Sequence, residues 1–219
     1  MALPDGVDLV VFDMAGTTVD DLVDGEPLVI AAFKGALKAY DGSELSFDEA
    51  NAVRGYEKRE ALSRLLGSKV DEKELEKVYE IFKQELDRLT GRMNSEVKGS
   101  SQVFQELRRR GIKVCVGSGF PEHVVQSIVR NLGWSVDKAF SSVALGAGRP
   151  NPVMILKAME LFEISDPKRV VKVGDTKVDI EEARNAGVYC ISVLTGTQSR
   201  AELEAAGPDC IIGSVAELL

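Results

Sequence analysis

The chain has 219 residues, 44% of them hydrophobic, and carries 27 basic against 35 acidic side chains, a formal net charge of −8 at pH 7. Such a length suits one medium domain, or a core with a smaller inserted one, and buries a full hydrophobic core without staples. The acidic balance argues against a nucleic-acid backbone as partner, although a local site can still invert the global sign for a small anion.

Val7 to Asp13 is an apolar run ending in an acid, the pattern of a buried strand in a parallel sheet. A turn follows at Gly16-Thr17-Thr18. Residues 19–94 then read as almost wholly helical and highly charged. Pro27 to Tyr40 and Lys58 to Leu66 predict helices. Leu75, Val78, Tyr79, Phe82, Leu86 and Leu89 recur at spacings of three and four, one face of an amphipathic helix. Gly67 and Gly91 stand where helices would stop.

From Gly99 the pattern alternates. A helix carrying Val103, Phe104 and Leu107 precedes the strand Lys113 to Val116, and the helix Glu122 to Leu132 precedes a short strand near Ala139. The helix Pro152 to Leu161 leads to the strand Arg169 to Val173, and Ile180 to Ala186 leads to Tyr189 to Val193. A last helix from Arg200 leads to Cys210 to Ile212. Alternation of this kind specifies an α/β fold, a parallel sheet with helices on both faces. Here a helical insert interrupts it just after the first strand.

Ligands of such sheets bind beyond the carboxyl ends of the strands. Asp13, Ser118, Gly119, Arg149, Asp175 and Asp179 all fall at such ends or just after them. Three carboxylates crowded there would repel one another, and a hard cation with oxygen ligands, magnesium above all, relieves that repulsion. A carboxylate beside magnesium and a phosphoryl group can act as the nucleophile. Ser118 and Arg149 would hold phosphoryl oxygens and neutralise charge in the transition state. The plainer alternative, that Asp175 and Asp179 are helix-start acids, weighs most for Asp179.

Four segments carry a resemblance: V-V-F-D-M-A-G-T-T-V-D, V-G-S-G, G-R-P-N-P and V-K-V-G-D-T-K-V-D-I-E-E-A-R-N-A-G. In order, they resemble the motifs of the haloacid dehalogenase (HAD) superfamily, in the subclass with a helical cap after the first motif. The resemblance covers nearly the whole chain. It implies a Rossmann-like core of residues 1–18 and 95–219 and a mobile cap of residues 19–94. It also implies magnesium, a phospho-aspartyl intermediate on Asp13, and Asp175 and Asp179 as further metal-holding residues.

Two details resemble phosphonoacetaldehyde hydrolase, or phosphonatase, and its near relatives. Most phosphatases of the superfamily have an acid two residues after the nucleophile, where this chain has Ala15, and a lysine in the third motif, where it has Arg149. A positioned general acid typically contributes about 100- to 10,000-fold; Ala15 cannot supply it, but its carbonyl can still meet the metal. Carbon–phosphorus cleavage needs an electron sink on carbon instead. In phosphonatase a cap lysine supplies it as a Schiff base, and the matching stretch Gly55 to Lys58 places Lys58 in that role. Arg54, Ala61 and Phe120 stand where phosphonatases carry Met, His and Tyr, departures that fit the phosphonatase-like relatives better than phosphonatase itself.

The expected enzyme is thus a phosphonatase-like hydrolase of a small phosphonate or phosphate ester, with Gly16 and Thr17 beside the phosphoryl group. The rival readings are a phosphate monoesterase of the phosphoglycolate phosphatase kind and a low-activity binding or regulatory protein. Residues 1–8 have no signal-peptide character, and no stretch approaches the roughly 20 apolar residues that span a bilayer. The three cysteines, Cys115, Cys190 and Cys210, lie apart in apolar runs, which fits a reducing cytoplasm. A monomer or homodimer is expected. His123 and Trp134 read as surface and packing residues, while Tyr56 could pack or touch substrate.

Overall fold

The structure is a computed structural model and describes residues 3–67, 70–91 and 95–219. After β1 (Leu9–Asp13) come the two-residue strands β2 (Leu22–Val23) and β3 (Glu26–Pro27). Four helices follow: α1 (Leu28–Asp41), α2 (Phe47–Ala52), α3 (Lys58–Leu66) and α4 (Glu72–Thr90). The chain returns through α5 (Ser100–Arg109), β4 (Lys113–Ser118), α6 (Glu122–Asn131), β5 (Lys138–Ser141) and α7 (Val153–Leu161). It finishes with β6 (Val170–Gly174), α8 (Lys177–Ala186), β7 (Tyr189–Val193), α9 (Arg200–Ala206) and β8 (Cys210–Ile212).

Six strands form one sheet in the order β5-β4-β1-β6-β7-β8, with every pairing parallel. Side chains alternate across a strand, and β1 shows the consequence. Val10 and Phe12 join the core on one face, with Phe104 of α5 and Val125 of α6. Leu9 and Val11 join the other, with Ile155 of α7 and Ile180 of α8. Both faces are covered, so β1 is buried throughout. The chain turns one way from β1 to β4 and β5, then crosses back to β6. This reversal opens a crevice at the carboxyl ends of β1 and β6, the usual ligand position of an open α/β sheet.

The insert is a helical cap, with one correction to the sequence reading: a small antiparallel hairpin, β2–β3, precedes α1. Helix α2 also escapes the apolar periodicity, since it is short and only Ala50 in it is buried. A capping box of Ser46 and Glu49 starts it instead. The long amphipathic helix α4 packs along α1, with Phe82 stacked on Phe33 at 4.9 Å between ring centroids. The two chain segments joining insert to core run side by side. Asp20 N donates to Ser95 O at 3.1 Å, and Val97 N donates to Thr18 O at 2.9 Å. Trp134, stacked edge-on against Phe104, donates its indole N–H to Glu96 on the returning segment. The expected end of the insert at residue 94 lies outside the described residues. No helix among the described residues is long and apolar enough to cross a membrane.

Candidate active site

Asp13 is the last residue of β1, and the chain after it folds into a tight turn. The amides of Thr17, Thr18 and Val19 all donate to Met14 O, while Thr18 Oγ1 donates to Asp13 O. These bonds aim the Asp13 side chain beyond the sheet edge, where it is 3% exposed. Asp175 follows β6, and Thr17 Oγ1 donates to its Oδ1 at 2.8 Å. Asp179 sits in the first turn of α8. The oxygens of Asp13, Asp175 and Asp179 approach within 4.8 Å of one another, and all three residues are buried.

Cations answer this charge from two directions. Arg149, on the segment before α7, donates Nη1 to Asp13 at 2.6 Å and to Asp179 at 2.9 Å. Burial works against the Arg149 charge, but Asp13 and Asp179 hold its pKa above the ordinary value. Arg54, from the turn between α2 and α3, donates Nη2 to the Ala15 carbonyl and to Asp21, each at 3.1 Å.

The three acids are not equivalent. Burial raises the pKa of Asp13, against the charge of Arg149. Burial also pushes Asp175 up to about 7, against the charge of Arg54. Asp179 moves down: burial opposes ionisation there, but Lys172 and Arg149 outweigh it. Its Oδ2 accepts from Thr176 N and Oγ1, completing a capping box at the start of α8. Its Oδ1 faces Arg149 and Lys172. Asp179 therefore does serve as a helix-start acid, and it also carries charge toward the site. Asp175 Oδ2, by contrast, is buried without a hydrogen-bond donor among the described residues. That orphaned oxygen, with the Asp13 carboxylate and the Ala15 carbonyl nearby, is a hard-oxygen set that fits magnesium.

Lys58 opens α3 and reaches from the cap into this crevice. Its side chain is 3% exposed and shares a cavity with Asp13, Ala15, Ser118, Phe120 and Arg149. Nζ donates to Tyr56 O at 3.3 Å and lies 5.8 Å from the centre of the Phe120 ring. It also lies close over Gly119, where a β-carbon would stand 3.7 Å from Nζ and 3.9 Å from Arg149 Nη2. Burial first, and the charge of Arg149 second, lower the Lys58 pKa to about 7. Ser118 lines the same cavity, and its Oγ accepts from Phe120 N.

Gly16 and Thr17 lie next to Asp13 but keep their donors within the fold. Gly16 N donates to Val19 O, Thr17 N to Met14 O, and the Thr17 hydroxyl to Asp175. Tyr56 sits under the Arg64 guanidinium at 4.1 Å from its ring centre, and His123 is exposed and faces Asp87 of α4.

Two site residues escaped the sequence reading, Lys172 and Glu182. Lys172 interrupts the apolar run of β6 and is fully buried, with Nζ 3.1 Å from Asp179 and 3.0 Å from Glu182. The approach is close but misaligned for hydrogen bonds, so the contacts are ion pairs. A lysine inside an all-buried strand was itself the available signal, since such a charge needs a partner. Lys172→Met is expected to cost about 3–5 kcal/mol, because it removes the cation nearest the buried Glu182 and leaves Asp179 with Arg149 alone. Adding Glu182→Met should restore most of that loss in denaturant unfolding; a double variant no more stable than the single one would contradict the pairing.

Comparison with known proteins gives a consistent result. Residues 7–187 match the family model of the haloacid dehalogenase-like hydrolases. The chain is 28% identical over 210 residues to a phosphonoacetaldehyde hydrolase of Bacillus cereus, covering 87% of this chain and 77% of that protein. A phosphonoacetaldehyde hydrolase-like protein from Oleispira antarctica superposes with a TM-score of 0.85 at 25% identity, covering 97% of this chain and 90% of the other. A candidate phosphoglycolate phosphatase from Lactobacillus delbrueckii subsp. bulgaricus shares the fold, with a TM-score of 0.81 at 22% identity and 97% coverage of each chain.

Proposed function

The chain belongs to the haloacid dehalogenase-like hydrolases, and within them we propose a phosphonatase-like enzyme that cleaves the carbon–phosphorus bond of a small aldehyde phosphonate. One observation carries this reading: the amine of Lys58, with its pKa near 7, shares a buried cavity with the Asp13 carboxylate. A lysine that forms a Schiff base must be neutral part of the time, and burial beside Arg149 shifts Lys58 toward that form. Ala15 stands where a general acid for an alkoxide leaving group would be, so an electron sink on carbon replaces proton donation.

The proposed sequence is as follows. Lys58 condenses with the substrate aldehyde, releasing water. An Asp13 oxygen attacks phosphorus, and the carbon–phosphorus electron pair passes into the iminium to give an enamine. Water then hydrolyses the Asp13 acyl phosphate. The enamine is protonated on carbon and hydrolysed, which frees the aldehyde product and Lys58. Arg149 and the Ser118 hydroxyl steady the phosphoryl oxygens. Gly16 and Thr17 shape the Asp13 turn and hold Asp175. Magnesium, held by Asp13, the Ala15 carbonyl and Asp175, would neutralise charge on the phosphoryl group; Asp179, its own oxygens already engaged, contributes charge and holds Arg149.

Residues 19–94 act as the cap in this scheme. The cavity of about 10 Å³ has room for roughly one water molecule, so substrate entry is expected to need a movement of the cap. The three free thiols fit the reducing cytoplasm as compartment.

A phosphate-release panel of phosphonoacetaldehyde, acetyl phosphate and sugar phosphates tests the reading. Release from phosphonoacetaldehyde is expected to lead, to vanish on chelation and to return with magnesium. Full activity in metal-free protein would refute the metal site. Release from esters alone would point to a monoesterase.

A further inference from the structure

Arg54 belongs to the cap, yet its guanidinium is bonded to the core. Nη2 donates to the Ala15 carbonyl at 3.1 Å and stands 3.8 Å from Asp175 Oδ2. Those are two of the three ligands assigned above to magnesium, and Asp175 Oδ2 has no hydrogen-bond donor among the described residues. A β-carbon on Gly16 would fall 2.6 Å from Arg54 Nη2 and 2.8 Å from Asp175 Oδ2, which places the guanidinium inside the acidic loop. Arg54 is 3% exposed, so solvent does little to dilute its charge.

We propose that Arg54 and the divalent cation compete for the Ala15 carbonyl and Asp175, so that Arg54 sets the metal affinity of the site. This rests on the metal-dependent reading given above. Magnesium demands near-octahedral oxygen ligands at about 2.0–2.1 Å, and it needs the lone pairs that the guanidinium now faces. Two cations on one buried carboxylate oxygen also repel strongly at low dielectric.

Arg54 has a second seat, because Asp21 Oδ2 accepts from the same Nη2 at 3.1 Å. Asp21 is buried at the root of the insert, with its pKa raised by burial and opposed by Arg54. A guanidinium withdrawn from Asp175 would therefore keep a counter-charge. The withdrawal still has a cost, since the backbone beside it has no slack: a β-carbon on Gly55 would meet Thr176 Oγ1 at 2.7 Å and Val178 at 3.0 Å. The site thus trades a resident single charge for an incoming double one.

Isothermal titration of magnesium chloride into the full chain tests this, comparing the wild type with Arg54→Met, Arg54→Gln and Arg54→Lys. The titrations are run at about pH 8.5 so that the carboxyl ligands are ionised in every variant. The two neutral variants are expected to bind magnesium at least about tenfold more tightly than the wild type, while Arg54→Lys stays within about threefold of it. Circular dichroism checks each fold, and Arg54→Gln carries the comparison if Arg54→Met does not fold. Equal affinities across the wild type and the neutral variants would overturn the competition, as would a tightening by Arg54→Lys equal to that of Arg54→Met. Magnesium binding that is absent from every variant, together with activity that survives chelation, would remove the metal reading as well; equal but measurable affinities would remove only the role of Arg54.

Discussion

Replacing Asp13 by Asn is expected to lower turnover by at least about 10,000-fold, the scale seen when a nucleophile is deleted. The amide keeps the size and most of the hydrogen bonding of the carboxylate but cannot form the acyl phosphate. The fold should survive. Burial already disfavours the Asp13 charge, and its neighbours Asp175 and Asp179 are acids. Neutralising Asp13 therefore relieves repulsion, while Arg149 keeps Asp179 as a partner at 2.9 Å. The melting temperature of Asp13→Asn should equal or exceed that of the wild type. Sustained multiple turnover in freshly purified, non-deamidated Asp13→Asn would remove the residue from the role of nucleophile.

Lys58→Arg should abolish carbon–phosphorus cleavage, with a loss of at least about 1,000-fold, because a guanidinium stays charged at any working pH and forms no imine. The wild-type pH profile follows from the same residue. Burial, and then the charge of Arg149, bring Lys58 down to about 7. Below that pH it is an ammonium; above it the neutral amine dominates. Turnover of an aldehyde phosphonate should therefore climb as pH rises through about 7 and then level off. Asp175, pushed up to about 7, ionises over the same window and, as a proposed ligand, would govern metal binding. Profiles taken at saturating magnesium separate the two, since a metal bound at the proposed site would hold Asp175 ionised and leave the Lys58 limb. Retention of most phosphonate activity in Lys58→Arg would reduce Lys58 to a charge clamp.

The layout of this site was legible where local pattern and function coincide. An apolar run ending in Asp13, and the G-D-T-K-V-D stretch at the end of β6, place acids at strand ends whatever surrounds them. The parallel sheet follows from the alternation, and sheet geometry then brings Asp13 and Asp175 together although 162 positions separate them. The reach of a cap side chain into the core was less legible. Arg54 meets Ala15 across 39 positions, through a hairpin, two helices and a turn whose geometry no periodicity encodes. A sequence comparison marks Arg54 as unusual without saying what it touches. Lys172 went unnoticed for another reason: helical and strand periodicity score hydrophobic positions, and a buried lysine registers only once its partners Asp179 and Glu182 are in view. The hairpin β2–β3 is two residues per strand, too short for alternation to show.

The two proposed covalent bonds, at Asp13 and Lys58, can be read in one experiment. Borohydride is added during turnover of phosphonoacetaldehyde with magnesium, and the peptides are mapped by mass. Reduction of an acyl phosphate leaves homoserine in place of Asp13, and reduction of the imine leaves an alkylated Lys58; both marks are expected, and both should disappear when substrate is omitted. Unmodified Asp13 and Lys58 at full peptide coverage, while phosphate accumulates before the quench and authentic phosphonatase is labelled in parallel, would contradict covalent catalysis at this site.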